Sequence, residues 1–443
     1  MSQLARCEPV RSAFMTYDPS KRNGWARGLI HFHTEFSDGG ASVQKAAEIA
    51  RAHGYDFLIV TDHLQDLKLK KGRSLQEYII ACDTASKETG TLVIPGGEIE
   101  VDWENPRTGD SSQAHTLAFS IRHLISEFDW TTPGEKPYAG WTDNAGGRGT
   151  ILAVQQKLMR YGVPPAASHQ FQHAYLGSPI HPAEHADYRY DLERIGSSRL
   201  LDFFYSGVID AAHEPEDFAL YLSCLDNPSE ISPAIYASCD YHYGPETLRE
   251  LLHQHREEIV ARLRQIVVKW RRVIGVPLCW LLRWQPDIAL SLFEHLGRRL
   301  FALFRTIPPV QFAAEQLSHA TYVYLGDSAL TEENVIQALW KGQSCVTRGA
   351  AEFRDLRPVP SNVPQKVSRV DLYLDLPVTY SVHRPRSVLI YRDGNLVDWI
   401  VVPDVRQAIT LTWTDPSPPA GIHSYVLYVP SKFLSSPLLV EVS

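Results

Sequence analysis

The sequence predicts an α/β fold followed by a β-rich tail, and three observations carry that expectation. Short apolar segments alternate with segments of helical period through the first half of the chain. Histidines and carboxylates fall repeatedly at the ends of those apolar segments, and after Arg354 the texture changes to alternating, β-branched runs.

Taken in order, residues 1–26 form a polar lead-in and residues 27–33 read as a short strand. Residues 42–53 carry Val43, Ala46, Ala47 and Ile49 at the spacing of a helix with one buried face. Residues 56–61 and 91–95 are apolar runs of strand length, residues 151–161 a helix, and residues 163–168, 201–204 and 234–238 further strands. Strands alternating with helices predict βαβ units and a parallel sheet or barrel over residues 27–244. From 245 to 320, Leu248, Leu251, Leu252, Ile259 and Leu263 recur at helical spacing among Arg256, Arg262, Arg264 and Lys269, which predicts a helical insertion. Its apolar centre contains Gly275 and Pro277 and is too short to cross a bilayer. The simplest reading packs the insertion on the main domain, and contact with a partner or a membrane surface is the alternative. Residues 321–354 return to the main domain. Pro358, Pro360 and Pro364 then mark a linker within 355–443. The runs at 370–376, 387–391, 408–413 and 425–429, separated by turns such as Asp393-Gly394, predict a small antiparallel β-sandwich there.

Bulk properties narrow the function classes. With 443 residues, 44% hydrophobic and 21% charged, the chain has the balance of a globular protein of two or three domains. Lys+Arg number 43 against 51 Asp+Glu, a net charge of −8 that gives no support to nucleic-acid binding. Six cysteines are scattered without a C-x-x-C pair, so neither a zinc ribbon nor a disulfide framework is indicated. Residues 1–20 lack a continuous apolar core and no transmembrane stretch is evident, so the expected location is cytoplasmic, with reduced thiols.

The chemistry lies in the strand ends. His31 and His33 are two residues apart, a spacing that puts both rings on one face of a strand. Asp38 follows; His63 closes the next strand behind Thr61-Asp62; Glu98 follows the third behind Gly96-Gly97; and His115 lies downstream. His169 ends another segment, and Asp240-Tyr241-His242 again spaces two candidate ligands by two. One histidine at a strand end is ordinary, but repetition over at least five segments points to a shared metal site, because the carboxyl ends of parallel strands open on one face. Mixed imidazole and carboxylate donors suit Zn, Mn or Fe. Asp62 reads as a residue that orients a ligand rather than as a ligand itself.

These residues also resemble a known family. His31-Phe32-His33-Thr34 with Ser37-Asp38-Gly39, then Thr61-Asp62-His63, Gly97-Glu98 and Ser238-Cys239-Asp240-Tyr241-His242 are similar, in order over about 245 residues, to the motifs of the PHP (polymerase and histidinol phosphatase) superfamily. The resemblance implies a distorted (β/α)7 barrel with two to three divalent ions. It would assign His31, His33, Glu98 and Asp240 to a first ion, with Glu98 bridging to a second completed by His115 and His242, and Asp38, His63 and His169 to a third. The family often has His-Pro at its fourth motif, whereas Gln170 follows His169; His173 and His181 of His181-Pro182 are the other candidates, and His169 is kept because a strand-like segment precedes it. The later order Thr321-Tyr322-Val323-Tyr324 to Cys345-Val346-Thr347-Arg348-Gly349 is similar to the carbaryl-hydrolase-like branch, which adds a β-sandwich.

The implied activity is that of a metal-dependent hydrolase, foremost a phosphoesterase cleaving a small phosphate ester with a hydroxide shared between ions that Glu98 bridges. His63 or another nearby imidazole is the candidate proton donor. Lys68, Lys70 and Arg73 in the loop after His63, and Arg348, are candidate phosphate contacts. Hydrolysis of a carboxylic or carbamate ester or amide is the alternative on the same site, and a non-catalytic, metal-stabilised interaction protein is the reading from a different class.

Overall fold

In the computed structural model of the chain the described residues are 22–69, 71–104, 111–124, 148–167, 198–202, 232–242, 319–348, 353–376, 386–402, 409–430 and 432–443, with 218, 221, 222, 225 and 317. The insertion expected over 245–320, apart from 317, 319 and 320, and most of the N-terminal lead-in lie outside them. Among the described residues no helix is long and apolar enough to cross a membrane.

Strand β1 (Trp25–Phe32) is the hub of the molecule. Its second half pairs in parallel with β2 (Phe57–Val60), which pairs in parallel with β3 (Leu92–Pro95). All residues of β2 and β3 are buried, as strands covered on both faces require. The connections carry α1 (Val43–Ala52) and then α2 (Leu64–Leu69) and α3 (Leu75–Thr89). Ser42 caps α1 by accepting the Lys45 N–H. Ser74 and Glu77 form a reciprocal capping box on α3, an arrangement that stabilises a helix start by about 1 kcal/mol.

A second sheet runs in the order β4 (Gly97–Glu104), β5 (Ser111–Ala118), β6 (Pro165–Ala167), β7 (Ser198–Asp202) and β8 (Ser232–Tyr236), with α4 (Arg148–Arg160) leading into β6. Here the expectation of parallel pairing throughout needs correction. β5 is antiparallel to both β4 and β6, and only β6–β7–β8 are parallel. Residues 105–110 alone separate β4 from β5, far fewer than the dozen or so a parallel crossover needs. The sheets are mixed, and among the described residues no closed barrel is present.

Chain continuity links the two sheets at two places. Gly96 alone separates β3 from β4, and Ala237 alone separates β8 from β9 (Ser238–Tyr241), which pairs in parallel with β1. A Cβ on Gly96 would lie 2.8 Å from the Val60 carbonyl oxygen and 2.9 Å from that of Ala118, so the strand change there requires glycine.

Further along the chain, β10 (Ala320–Tyr324) pairs antiparallel with the first half of β1. After α5 (Glu332–Trp340), β11 (Ser344–Thr347) pairs with β10. The C-terminal strands continue this sheet: β19 (Phe433–Ser435) bonds to β11, and β18 (Gly421–Val429) bonds to β19, β20 (Leu438–Val442) and β15 (Arg386–Arg392). β16 (Asn395–Val402) closes a hairpin on β15. Asp393 and Gly394 at its tip have φ of 49° and 73°, the pair of positive values that a two-residue hairpin turn uses. β12 (Asp355–Arg357), β14 (Asp371–Leu376) and β17 (Ile409–Thr414) make a separate antiparallel sheet, while β13 (Ser361–Val367) runs parallel to β20. The four runs read from the sequence after 370 therefore appear as β14, β15, β17 and β18. One apolar cluster joins Trp25, Phe32 and Leu58 to Leu372, Val388 and Tyr425, so both halves share a core.

Candidate metal centre

The site forms where β1, β2, β4, β5 and β9 end or bend. His31 does not reach it by simple strand alternation. Its φ is 72°, and the pairing of β1 shifts register between Ile30 and Phe32 against both β2 and β9. His31 is the extra residue of a bulge, a device that re-aims a side chain and adds local twist. Across from it, β9 carries Asp240 at a φ of 42° within its own register shift. Two candidate ligands thus occupy left-handed backbone that non-glycine residues seldom adopt and that costs of order 1–3 kcal/mol each. His33 lies just past the end of β1, held by its N–H to the Tyr241 carbonyl at 2.9 Å.

Two groups of donors converge. In the first, His31 Nε2 lies 3.2 Å from Glu98 Oε2 and 3.4 Å from Asp240 Oδ1, and His33 Nε2 lies 3.1 Å and 3.2 Å from the same two oxygens. In the second, His33 Nδ1 is 3.4 Å from Asp38 Oδ1, while His242 Nε2 and His63 Nε2 are 3.3 Å and 3.8 Å from Asp38 Oδ2. Within each group one donor atom per residue lies within 4.8 Å of all the others. A neutral imidazole has one lone pair, so His33 can serve only one group at a time. Glu98 Oε1 turns the other way and meets His115 Nδ1 at 2.6 Å.

Burial makes this arrangement expensive without a cation. Glu98 is 1% exposed and His31 and His33 are fully buried. Both ring nitrogens of His33 face carboxylates yet satisfy no hydrogen-bond geometry. Converging lone pairs around a largely buried pocket are what a divalent ion neutralises, so the donor set fits metal. Burial also moves the protonation equilibria. It disfavours a charged His33, but the carboxylates of Asp240, Asp38 and Glu98 outweigh it and hold that ring well above the ordinary imidazole range. Burial would raise Glu98, yet His115, His31 and His63 hold it well below the carboxylate range. Asp38 is likewise depressed against burial, chiefly by His242 and then His33. Burial pushes His63 down to about 4, leaving it neutral near pH 7.

Partners outside the donor groups fix the ligands. His31 Nδ1 and Ser238 Oγ are 2.6 Å apart, and with Nδ1–H donating to the hydroxyl the Nε2 lone pair faces Glu98 and Asp240. The Cys239 thiol donates to the His31 carbonyl at 2.9 Å, holding the bulge from the other side. Neither Ser238 nor Cys239 was singled out as functional in the sequence, although both lie in the motif that ends at His242. Asp62 is fully buried and accepts from Thr34 and Ser37. Gly39 is needed in the same loop, because a Cβ there would lie 2.2 Å from the His33 carbonyl oxygen.

His169 and Lys70 lie outside the described residues, and the side chain of Lys68 is likewise not described. Arg73 sits 4.5 Å over the Phe36 ring and 3.5 Å from Glu35 Oε1, against the loop that carries Asp38. Arg348 follows β11, whose end pairs level with Ala320 at the site-facing end of β10. The resemblance grouped His242 with His115, whereas here His242 converges with Asp38 and His63.

No protein-family profile matches the chain. A curated relative, the DNA polymerase/3′-5′ exonuclease PolX of Bacillus subtilis, is 39% identical over 49 residues, a stretch spanning 11% of this chain and only 9% of that protein. Among solved structures, a two-domain protein from Bacteroides vulgatus described as containing a predicted PHP-like metal-dependent phosphoesterase is 13% identical, with a TM-score of 0.39 over 100% of both chains. A histidinol phosphate phosphatase from Lactococcus lactis, complexed with zinc, L-histidinol and phosphate, is 16% identical, with a TM-score of 0.31 over 49% of this chain and 87% of that one.

Proposed function

We propose that the chain is a PHP-type metal-dependent hydrolase and, within that class, a phosphoesterase acting on a small phosphate ester. One observation carries the reading: His31, His33, Asp38, His63, Glu98, His115, Asp240 and His242, drawn from five separate segments, converge on one largely buried pocket. Supporting a distorted barrel around it, the parallel β1–β2–β3 and the β4–β8 sheet are joined at Gly96 and at Ala237. In this reading the barrel spans residues 27–244 and 321–354, the helical insertion 245–320 and the sandwich 355–443.

His31, His33, Glu98 and Asp240 would hold one ion, and Asp38, His63 and His242 a second, with His169 a further candidate ligand. When bound, Zn, Mn or Fe ions would supply Lewis acidity toward phosphoryl oxygens and acidify a water. The chain's own contribution is orientation and charge. Glu98 presents Oε2 to His31 and His33 and Oε1 to His115, so one carboxylate orients imidazoles on both of its sides. Ser238 sets the tautomer of His31. His63, held neutral by burial, offers a lone pair near pH 7, which favours its role as ligand over that of proton donor. Arg73, which stacks on Phe36 and pairs with Glu35 beside the Asp38 loop, is a candidate phosphate contact, with Lys68, Lys70 and Arg348 as further candidates.

The test compares hydrolysis of p-nitrophenyl phosphate with that of an aryl carboxylate or carbamate ester on Mn-loaded protein, each with a chelated control. Faster, chelator-sensitive phosphate cleavage is expected. Preference for the carbon ester would replace the phosphoesterase with a carboxylic or carbamate ester hydrolase, and silence on both would favour a metal-stabilised interaction protein.

A further inference from the structure

Asp62 stands between two residues of one donor group without belonging to it. Its carboxylate is fully buried and points away from the pocket, into the loop that follows β1. Oδ1 accepts the Thr34 N–H at 2.7 Å, the Ser37 N–H at 3.1 Å and the Ser37 hydroxyl at 2.6 Å, and Oδ2 accepts the Thr34 hydroxyl at 2.7 Å. All four donors lie between His33 and Asp38. Along its own chain Asp62 precedes His63, and its carbonyl accepts the Glu98 N–H at 3.0 Å. One residue thereby ties the loop bearing Asp38 to the strand end bearing His63.

The first donor group is secured elsewhere. His31 is gripped by Ser238 and Cys239, and Asp240 belongs to β9. Outside the donor group Asp38 accepts the Ser37 hydroxyl at 3.3 Å, a longer contact than those that hold His31. Its side chain is 46% exposed, and its loop is shaped by the turn bonds of Ser37 and Gly39 to the Thr34 carbonyl, by Gly40 to the His242 carbonyl, and by the Asp62 carboxylate.

We propose that Asp62 is a positioning residue for the ion held by Asp38, His63 and His242, and that its loss empties that position while sparing the ion held by His31, His33, Glu98 and Asp240. The inference rests on the metal-dependent reading above. Four donors aimed at one buried carboxylate define a loop conformation that a smaller side chain cannot hold, because each donor would lose its partner in a dry site. Asparagine at the same place keeps the oxygen that accepts three of the four bonds, and the Thr34 hydroxyl can turn to accept from its amide. The position therefore calls for shape and acceptors rather than for a ligand.

The experiment measures metal content per chain by elemental analysis, after zinc loading and dialysis, for the full-length wild type, Asp62→Ala and Asp62→Asn, with circular dichroism to verify folding. The expected result is one ion fewer in Asp62→Ala than in the wild type, with the complement restored in Asp62→Asn. An Asp62→Ala protein that keeps every ion, or that loses all of them while still folded, overturns the proposal. A wild type that binds no zinc overturns the metal-dependent reading and the proposal together. If Asp62→Ala does not fold, Thr34→Val takes its place, since it removes the 2.7 Å hydroxyl bond to Asp62 Oδ2 and leaves Asp62 intact. Its weaker zinc site should lose about 10–100-fold in affinity with the tighter one unchanged, and equal affinities in variant and wild type refute the assignment.

Discussion

Replacing Ser238 with alanine removes one hydroxyl from beside His31, and the geometry states what that costs. The lost contact spans 2.6 Å between two fully buried groups, so no water stands ready to replace it. With the hydroxyl present, Nδ1–H has an acceptor and the Nε2 lone pair faces Glu98 and Asp240 at 3.2 Å and 3.4 Å. Without it, either Nδ1–H stays buried and unpaired or the proton moves to Nε2, where it blocks the metal. Loss of such an orienting partner weakens metal binding about 10–100-fold, which is about 1.4–2.8 kcal/mol. Competition of zinc between the protein and a chromophoric chelator measures this directly. The reasoning requires weaker binding at the His31 position and an unchanged second equivalent. A dissociation constant equal to that of the wild type would refute it, as would equal weakening of both equivalents.

Two further outcomes follow from the same geometry. The His33 pKa is raised well above the imidazole range by Asp240, Asp38 and Glu98 despite burial, so a proton competes with metal below that raised value. Zinc affinity should keep rising with pH above neutrality, and binding near pH 7 should release protons into a weakly buffered indicator solution; an affinity that is level from pH 7 upward would contradict this. Gly28 pairs with Phe57 across β1 and β2, and a Cβ there would lie 1.9 Å from the ring of a fully buried phenylalanine. Gly28→Ala should therefore lower stability in urea unfolding by about 1–3 kcal/mol, and an unchanged midpoint would show that the ring can move aside.

Much of this protein was legible in the residue order. The apolar runs at β2 and β3, the helical period of α1 and the Asp-Gly turn between β15 and β16 are near-neighbour properties, set by side-chain alternation and by which residues tolerate a positive φ. The candidate ligands were legible too, because His and Asp recurring at strand ends mark one face of a sheet. Tertiary structure decided how they meet. Residues i and i+2 on a regular strand would have sent His31 and His33 to a common face, but the rings converge because a bulge places His31 at a φ of 72° and His33 lies beyond the strand. Glu98 meets His115 because β5 pairs antiparallel in a register that sets Glu98 opposite Leu117, making His115 its diagonal neighbour on the same face. Asp62 reads from the sequence as a residue that orients a ligand, but which loop it anchors is decided by four donors that no spacing rule announces. Periodicity is written in adjacent residues, whereas register, bulges and shared buried acceptors depend on strands brought together from distant parts of the chain, and only their packing selects among the arrangements that local sequence allows.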